Sequence, residues 1–171
     1  MARSTAFSAV CENNSGGIVS LWLTDKANVS TMTLSGGEYT GATMVSSAVF
    51  YLYEFEQDLA EMTNAATREN SSTLIEHNIE FYLTKMTTLQ RNAIQALFDS
   101  STCGMVAIAE DGNNNKWVLG YSENFGTRRP LKISSTEGTT GKAFSDGNGT
   151  TVNISSSDNE LPRVYTGTVP V

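Results

Sequence analysis

Two segments with alternating apolar and polar side chains constrain this chain most strongly: residues 50–62 (FYLYEFEQDLAEM) and residues 73–86 (TLIEHNIEFYLTKM). Successive side chains of a β-strand point to opposite faces, so this period of two predicts two long strands. One face of each strand is apolar, and its members are Tyr51, Tyr53, Phe55 and Leu59, then Ile75, His77, Ile79, Phe81 and Leu83. The opposite face is acidic and carries Glu54, Glu56, Asp58, Glu76 and Glu80.

The connection between these segments, residues 63–72 (TNAATRENSS), contains no apolar side chain larger than alanine. Two matched strands around so polar a connection predict a long antiparallel hairpin whose tip projects from the domain. A projecting tip makes few contacts within its own domain to offset the entropy lost on ordering it. The hairpin therefore favours a protein in which a neighbouring subunit contacts the tip.

The rest of the chain is also rich in strand patterns. Residues 18–24 (IVSLWLT) predict a buried strand, residues 27–34 its partner, and the Gly-rich stretch up to residue 47 a surface loop. Further strands are expected at residues 103–110 and 116–123 around an Asp-Gly-Asn turn, then at 131–135 and 150–155. A last short strand near Pro162 is expected at a sheet edge, because proline lacks an N–H.

A single helix is predicted over residues 88–99. Thr87 and Gln90 have the spacing of a capping box, and Leu89, Ile94, Leu97 and Phe98 give the helix an apolar side. The predicted fold class is mainly β, an antiparallel β-sandwich or barrel with one flanking α-helix and a long projecting hairpin. At 171 residues, the chain is expected to form one domain over residues 1–171.

Charge and hydropathy exclude several classes of protein. The net charge of −7 disfavours binding to nucleic acids or anionic membranes, and the only dense basic spot is Arg128 and Arg129. Residues 1–10 lack the apolar run of a secretory signal, and no segment has the ~20 apolar residues of a membrane helix. We therefore expect a soluble protein, made in a cytoplasm, that does not bind membranes.

The residues that carry chemistry are sparse. The only histidine, His77, lies on an apolar strand face and is expected to be packed, while Cys11 and Cys103 lack metal-ligand spacing and are expected to be buried thiols. The carboxylates repeat with period two, which is typical of a solvated sheet face rather than of a glycosidase pair or a calcium site. No glycine pattern matches a phosphate loop. The sequence thus predicts no catalytic residue, no cofactor and no metal, and it suggests a subunit contact for Arg128 and Arg129.

The order of these elements resembles the tail tube proteins of long-tailed bacteriophages and the related tube subunits of contractile injection systems. The residues that carry the resemblance are FYLYEFEQDLAEM, TNAATRENSS, TLIEHNIEFYLTKM and the helix TTLQRNAIQALFDSS. The later stretch, residues 116–167, also resembles the C-terminal half of small structural proteins of phages and prophages. The likeness covers most of the chain.

This resemblance implies a structural virion protein, not an enzyme, that assembles with itself into stacked, hexameric rings forming a tube through which phage DNA passes without specific binding. It implies synthesis in the bacterial host cytoplasm, a place in the tail of the virion, and other tail proteins as partners. Glu54, Glu56, Asp58, Glu76 and Glu80 would line the lumen. The loop that contacts the adjacent ring would consist of Thr63, Asn64, Thr67, Arg68, Glu69, Asn70, Ser71 and Ser72.

Two other interpretations remain open from the sequence. One is a different virion part, namely a neck, tail-terminator, tail-tip or capsid-decorating protein, which would bind a partner or form a closed ring without growing into a tube. The other is a carbohydrate-binding β-sandwich, whose platform would be built from exposed members of Trp22, Trp117, Tyr51 and Tyr53.

Overall fold

A computed structural model describes residues 12–171, so Cys11 and residues 1–10 lie outside the described residues. The described chain is mainly β, with eleven strands and one α-helix. The elements are β1 (Ile18–Asp25), β2 (Val29–Ser35), β3 (Glu38–Met44), β4 (Tyr51–Glu54), β5 (Ala60–Glu69), β6 (Ser72–Thr84), α1 (Thr88–Cys103), β7 (Met105–Asp111), β8 (Lys116–Leu119), β9 (Lys132–Thr139), β10 (Gly149–Asp158) and β11 (Arg163–Val164). The predicted fold class, antiparallel β with one flanking helix, is confirmed.

A five-stranded central sheet, in the order β11-β8-β7-β1-β4, lies between two other layers. Its middle strand β7 is buried on both faces, and residues 105–109 are all buried. Met105, Ala107 and Ala109 belong to one hydrophobic core, whereas Val106 and Ile108 belong to a second. Burial on both faces explains why this strand is continuously apolar in the sequence instead of alternating.

The first core lies between the central sheet and a four-stranded antiparallel sheet, in the order β5-β6-β10-β9. The predicted apolar face of residues 73–86 is confirmed, because Ile75, His77, Ile79 and Phe81 are all buried. The same core includes Val152 and Ile154 of β10, together with two residues of helix α1. The helix therefore closes this core from the side.

The second core lies between the central sheet and the two-stranded sheet of β2 and β3. Here the sequence predictions were wrong: residues 27–34 do not pair with β1, and the expected surface loop contains strand β3. Gly36 and Gly37 form the two-residue turn of this hairpin, with φ of 62° and 93°. Two consecutive residues at positive φ match the right-handed twist of a tight hairpin, so the glycines connect two strands rather than ending the pattern.

The predicted single strand over residues 50–62 is also divided. Its first part is β4 at the edge of the central sheet, and its second part begins β5 in the four-stranded sheet. The chain crosses between the two layers at residues 55–59, where Asp58 has a φ of 62°. Phe55 remains in the first core, with its ring centroid 5.2 Å from that of Phe81, so the apolar alternation continues through the break.

Helix α1 begins as predicted and extends further, to Cys103. The hydroxyl of Thr87 accepts a hydrogen bond from the backbone N–H of Gln90 at 3.2 Å, which satisfies one otherwise free donor of the first turn. Ile94 and Leu97 are buried, but Leu89 and Phe98 are exposed, so the apolar side is narrower than expected. Cys103 is exposed, which corrects the expectation of a buried thiol.

The predicted hairpins of the second half are confirmed as β7 with β8 and β9 with β10. The Asp111 carboxylate organises the first of their turns by accepting hydrogen bonds from the backbone N–H groups of Asn113 and Asn115 and from Nε1 of Trp117. Burial alone would raise the pKa of Asp111, but these hydrogen bonds outweigh it and lower the pKa. The strand after Pro162, β11, lies at an edge of the central sheet, as predicted.

The helix offers a direct test of the first core. Replacing Leu97, which is 3% exposed, with Asp places an unpaired charge in this core, and we expect a loss of about 4 kcal/mol or more in the free energy of unfolding. Leu89→Asp is the matched control, because Leu89 is 81% exposed on the same helix, and we expect a change within about 0.5 kcal/mol. Urea unfolding followed by circular dichroism measures both. Equal losses for the two variants would show that the helix does not pack as described.

Candidate assembly surfaces

The hairpin of β5 and β6 projects from the domain. The two strands pair from Ala60 opposite Phe81 to Glu69 opposite Ser72. From residue 63 to residue 74 every side chain is exposed, whereas Ile75 is buried. Because Ile75 is paired with Ala66, three residues of each strand, 67–69 and 72–74, and the turn extend beyond the last buried position, a length of about 10 Å.

Residues 63–72 are not the loop that the sequence predicts. Their strands continue to a two-residue turn at Asn70 and Ser71, where φ is 47° and 66°. Small polar residues have little intrinsic strand preference, and they are extended here because β6 supplies hydrogen-bonding partners along their length. The candidate contact residues are nonetheless exposed together on this hairpin; they are Thr63, Asn64, Thr67, Arg68, Glu69, Asn70, Ser71 and Ser72.

His77 lies at the base of the projecting hairpin and is 4% exposed, as expected for a packed histidine. Its Nδ1–H donates to Oδ1 of Asn64 on the opposite strand at 2.9 Å, so the ring joins the two strands where the hairpin leaves the body. Burial lowers the pKa of His77, and the nearby Asp158 and Glu160 oppose this shift only in part. Burial thus favours the neutral form of the ring.

The five predicted lumen carboxylates do not share one face. Glu76 and Glu80 point outward from the four-stranded sheet, but Glu54 lies in the central sheet, and Glu56 and Asp58 lie in the crossing segment. The strand register instead places Glu61 directly opposite Glu80. Glu137 of β9 lies on the same exposed face, because its partner Thr151 is paired with Tyr82. The exposed face of this sheet is thus mainly acidic: it carries Glu61, Glu76, Glu80 and Glu137, with Lys132 as a cation on the same face because its partner Ser155 is paired with Asn78.

Glu61 and Glu137 could not be assigned to this face from local patterns. Glu61 becomes part of the sheet only because the alternating segment breaks before it. Glu137 lies in a Ser- and Thr-rich stretch whose orientation depends on pairing with β10.

Arg128 and Arg129 line a basic cleft of about 560 Å³. Lys132 and the serines of residues 155–157 line the same cleft, and Glu76 is its one acidic residue. The guanidinium of Arg129 lies over the ring of Phe125, 5.5 Å from the ring centroid, which limits its mobility. Within residues 12–171 none of the three cations forms a salt bridge, so their charge is available to a partner.

An apolar groove of about 830 Å³ separates β4 from the beginning of α1. Tyr51, Leu52 and Leu89 line it and are 64%, 47% and 81% exposed, while Ala93 lies on its helical wall. Glu54 and Glu56 supply acidic groups to the same lining. Exposed apolar side chains of this size around one concave surface are typical of an interaction site. The sequence predictions missed this groove because they placed Tyr51 and Leu89 in the core.

The turn between β9 and β10 presents a single fully exposed aromatic side chain, Phe144. The Asp146 carboxylate fixes this turn by accepting hydrogen bonds from the backbone N–H groups of Ala143, at 2.7 Å, and Lys142, at 2.8 Å. These two bonds also lower the pKa of Asp146, so it stays charged down to acidic pH. The sequence analysis missed this feature. The signal that could have indicated it is a lone phenylalanine within a polar turn that contains Gly, Ser and Asp.

The aromatic residues considered for a carbohydrate platform are mostly in the cores. Tyr53 and Trp117 pack against the first core and Trp22 against the second, which leaves Tyr51 as the exposed member. The described part of the chain has no group of three or more His, Cys, Asp or Glu side chains able to hold a metal ion. Among residues 12–171 no helix has the length and apolar character needed to cross a membrane.

Comparison with known proteins found no matching family model, no matching curated protein and no matching solved structure.

The buried histidine predicts a pH dependence of stability. Because the folded-state pKa of His77 is lowered, the unfolded chain binds its proton more readily, and stability falls as the pH drops below about 6.5. His77→Asn keeps a donor for Asn64 but cannot titrate, so its stability should decrease less between about pH 7.5 and about pH 5. Thermal unfolding at both pH values measures the difference. An identical decrease in wild type and variant would exclude His77 as its source.

Proposed function

We propose that this chain is a self-assembling structural subunit that forms hexameric rings stacked into the tail tube of a long-tailed phage. The observation that supports this best is the four-stranded sheet: it has one buried face, one exposed acidic face and, among the described residues, two unpaired edge strands, β5 and β9. An isolated sheet with two free edges is prone to uncontrolled pairing, and closure into a shared barrel removes both edges.

The strand directions are compatible with such closure. All three pairings in this sheet are antiparallel, so β5 and β9 run in opposite directions. When copies are related by rotation about a ring axis, β9 of one copy and β5 of the next are therefore antiparallel. The sheet then continues from copy to copy with the same kind of pairing throughout.

The size of the resulting barrel fits a conduit. Six copies of a four-stranded sheet give 24 strands, with a circumference of about 115 Å before strand tilt. Barrels of 16–18 strands already enclose an aqueous channel, so this one would enclose a wider one. Glu61, Glu76, Glu80 and Glu137 would face the lumen, where negative charge repels the phosphates of passing DNA and disfavours adhesion to the wall.

The projecting hairpin supplies a means of stacking. Its last three residue pairs extend about 10 Å beyond the buried Ile75, and few contacts within the same chain stabilise them. Contact with the adjacent ring would order the hairpin and join the rings along the tube axis. Arg128 and Arg129 would take part in a contact between subunits, since their charges are unpaired within the described residues.

Electron microscopy of the purified protein tests the proposal directly. Stacked rings or tubes with a central channel are the expected result. Closed rings that never stack would indicate a neck, terminator or other virion component instead. A strictly monomeric protein by light scattering over a wide concentration range would contradict self-assembly altogether.

Shortening the hairpin should separate ring formation from stacking. Replacing residues 67–74 with Asn-Gly removes only exposed side chains and reconnects Ala66 with its partner Ile75 through a favourable two-residue turn. We expect a folded protein that still forms rings but whose tubes are at least about tenfold shorter, as measured by microscopy. A matched variant with Thr67→Ser and Thr73→Ser keeps the hairpin and should form normal tubes. Tubes of normal length from the shortened protein would show that the hairpin tip does not join the rings.

A further inference from the structure

We propose that Phe144 of one copy inserts into the apolar groove between β4 and α1 of the neighbouring copy. This inference rests on the proposed self-assembly and names a specific contact between adjacent subunits of one ring. The partner is a second copy of this chain. The aromatic side chain of one copy enters the apolar groove of the other, next to the charged side chains that line this groove.

The turn that carries Phe144 is already ordered by hydrogen bonds in the free subunit. Phe144 is fully exposed, and the two hydrogen bonds from the turn backbone to the Asp146 carboxylate hold its loop in one conformation. Asp146 also donates its backbone N–H to the carbonyl of Ala143 at 3.0 Å, which closes the turn. Little conformational entropy is therefore lost on binding, and rigid aromatic side chains of this kind commonly dominate interface energies.

The groove complements this group in shape and charge. Its apolar wall includes Leu52 and Leu89, and its volume of about 830 Å³ accommodates a phenylalanine ring. Lys142 lies two residues before Phe144 and is exposed, while the groove carries the exposed Glu54 and Glu56. The turn also carries Asp146, two residues after Phe144, and the groove is also lined by Lys85, so each surface offers charges of both signs that can be paired across the contact.

The positions of the two features agree with ring closure. The Phe144 turn follows β9, one edge of the four-stranded sheet, at the end where Gly149 is paired with Thr84. The groove is lined at that same end by Leu83 and Thr84 of β6, and by Phe55 and Glu56 just before β5, the opposite edge. Bringing β9 of one copy beside β5 of the next therefore also brings Phe144 towards the neighbouring groove.

This contact joins two different surfaces of the same protein. Phe144 does not line the groove of its own chain, so an open assembly has one free Phe144 at one end and one free groove at the other until the ring closes. Head-to-tail contacts of this kind produce rings when the rotation closes and filaments when it does not. The contact thus allows a closed ring in which every Phe144 and every groove is occupied.

Two complementary variants test the contact. Phe144→Asp removes the inserting ring but leaves the groove intact, whereas Ala93→Trp fills the groove and leaves Phe144 intact. Each variant alone should raise the dissociation constant for self-association at least about tenfold. In an equimolar mixture, Phe144 of the Ala93→Trp variant can still enter the intact groove of the Phe144→Asp variant. Analytical ultracentrifugation of this mixture should then detect a heterodimer. Phe98→Ala is the matched control, because Phe98 is an exposed phenylalanine that does not line the groove.

The outcomes separate this inference from the proposed function. If wild type and Phe144→Asp form the same rings and tubes, the Phe144 contact is wrong and the tube proposal stands. If wild type associates through Phe144 but never forms tubes, the contact stands and the tube proposal is wrong. A mixture of folded variants that stays monomeric overturns the contact. Circular dichroism confirms that each variant is folded before these results are compared.

Discussion

The double burial of strand β7 is the constraint on which the rest of this structure depends. Its two faces contribute to separate cores, so the central sheet must be covered on both sides. The small side chains of Ala107 and Ala109 allow the four-stranded sheet and the helix to approach one face. The larger Val106 and Ile108 fill the other face beneath the two-stranded sheet. A polar substitution in this strand would expose a core to an unpaired group, whichever face it entered.

The central sheet is the middle layer, and the four-stranded sheet packs on it with one face only. Its other face is acidic, both its edges are unpaired in the described chain, and its hairpin extends past the core. The groove beside β4 arises from the same arrangement, since the chain leaves the central sheet after Glu54 to enter the outer layer. The features that suit a neighbouring subunit are thus consequences of how the monomer is layered.

The parts of the fold that can be predicted from the sequence are those that depend on residues close together in the chain. The apolar face of β6, the Thr87 cap and the Asp111 turn depend on residues close in sequence, and all three are as predicted. The break at residues 55–59 and strand β3 depend on which sheet each segment joins, which local alternation does not encode. For the candidate surfaces, the projecting hairpin was predictable from its polar tip. The positions of Glu61 and Leu89 were not, because they depend on register and on helix orientation.

Charge places a further demand on the proposed ring. Each copy carries a net charge of −7 and, in the proposed ring, would direct four glutamates to a shared lumen, so assembly would bring like charges together. Such repulsion is screened over about 8–10 Å at physiological ionic strength, and apolar burial at the Phe144 contact is insensitive to it. Arg128, Arg129 and Lys132, which form no salt bridge within the described residues, would offset part of the repulsion that is left after screening. A ring held mainly by apolar contact and strand pairing should therefore become more stable as salt is added, whereas one held by these cations would weaken.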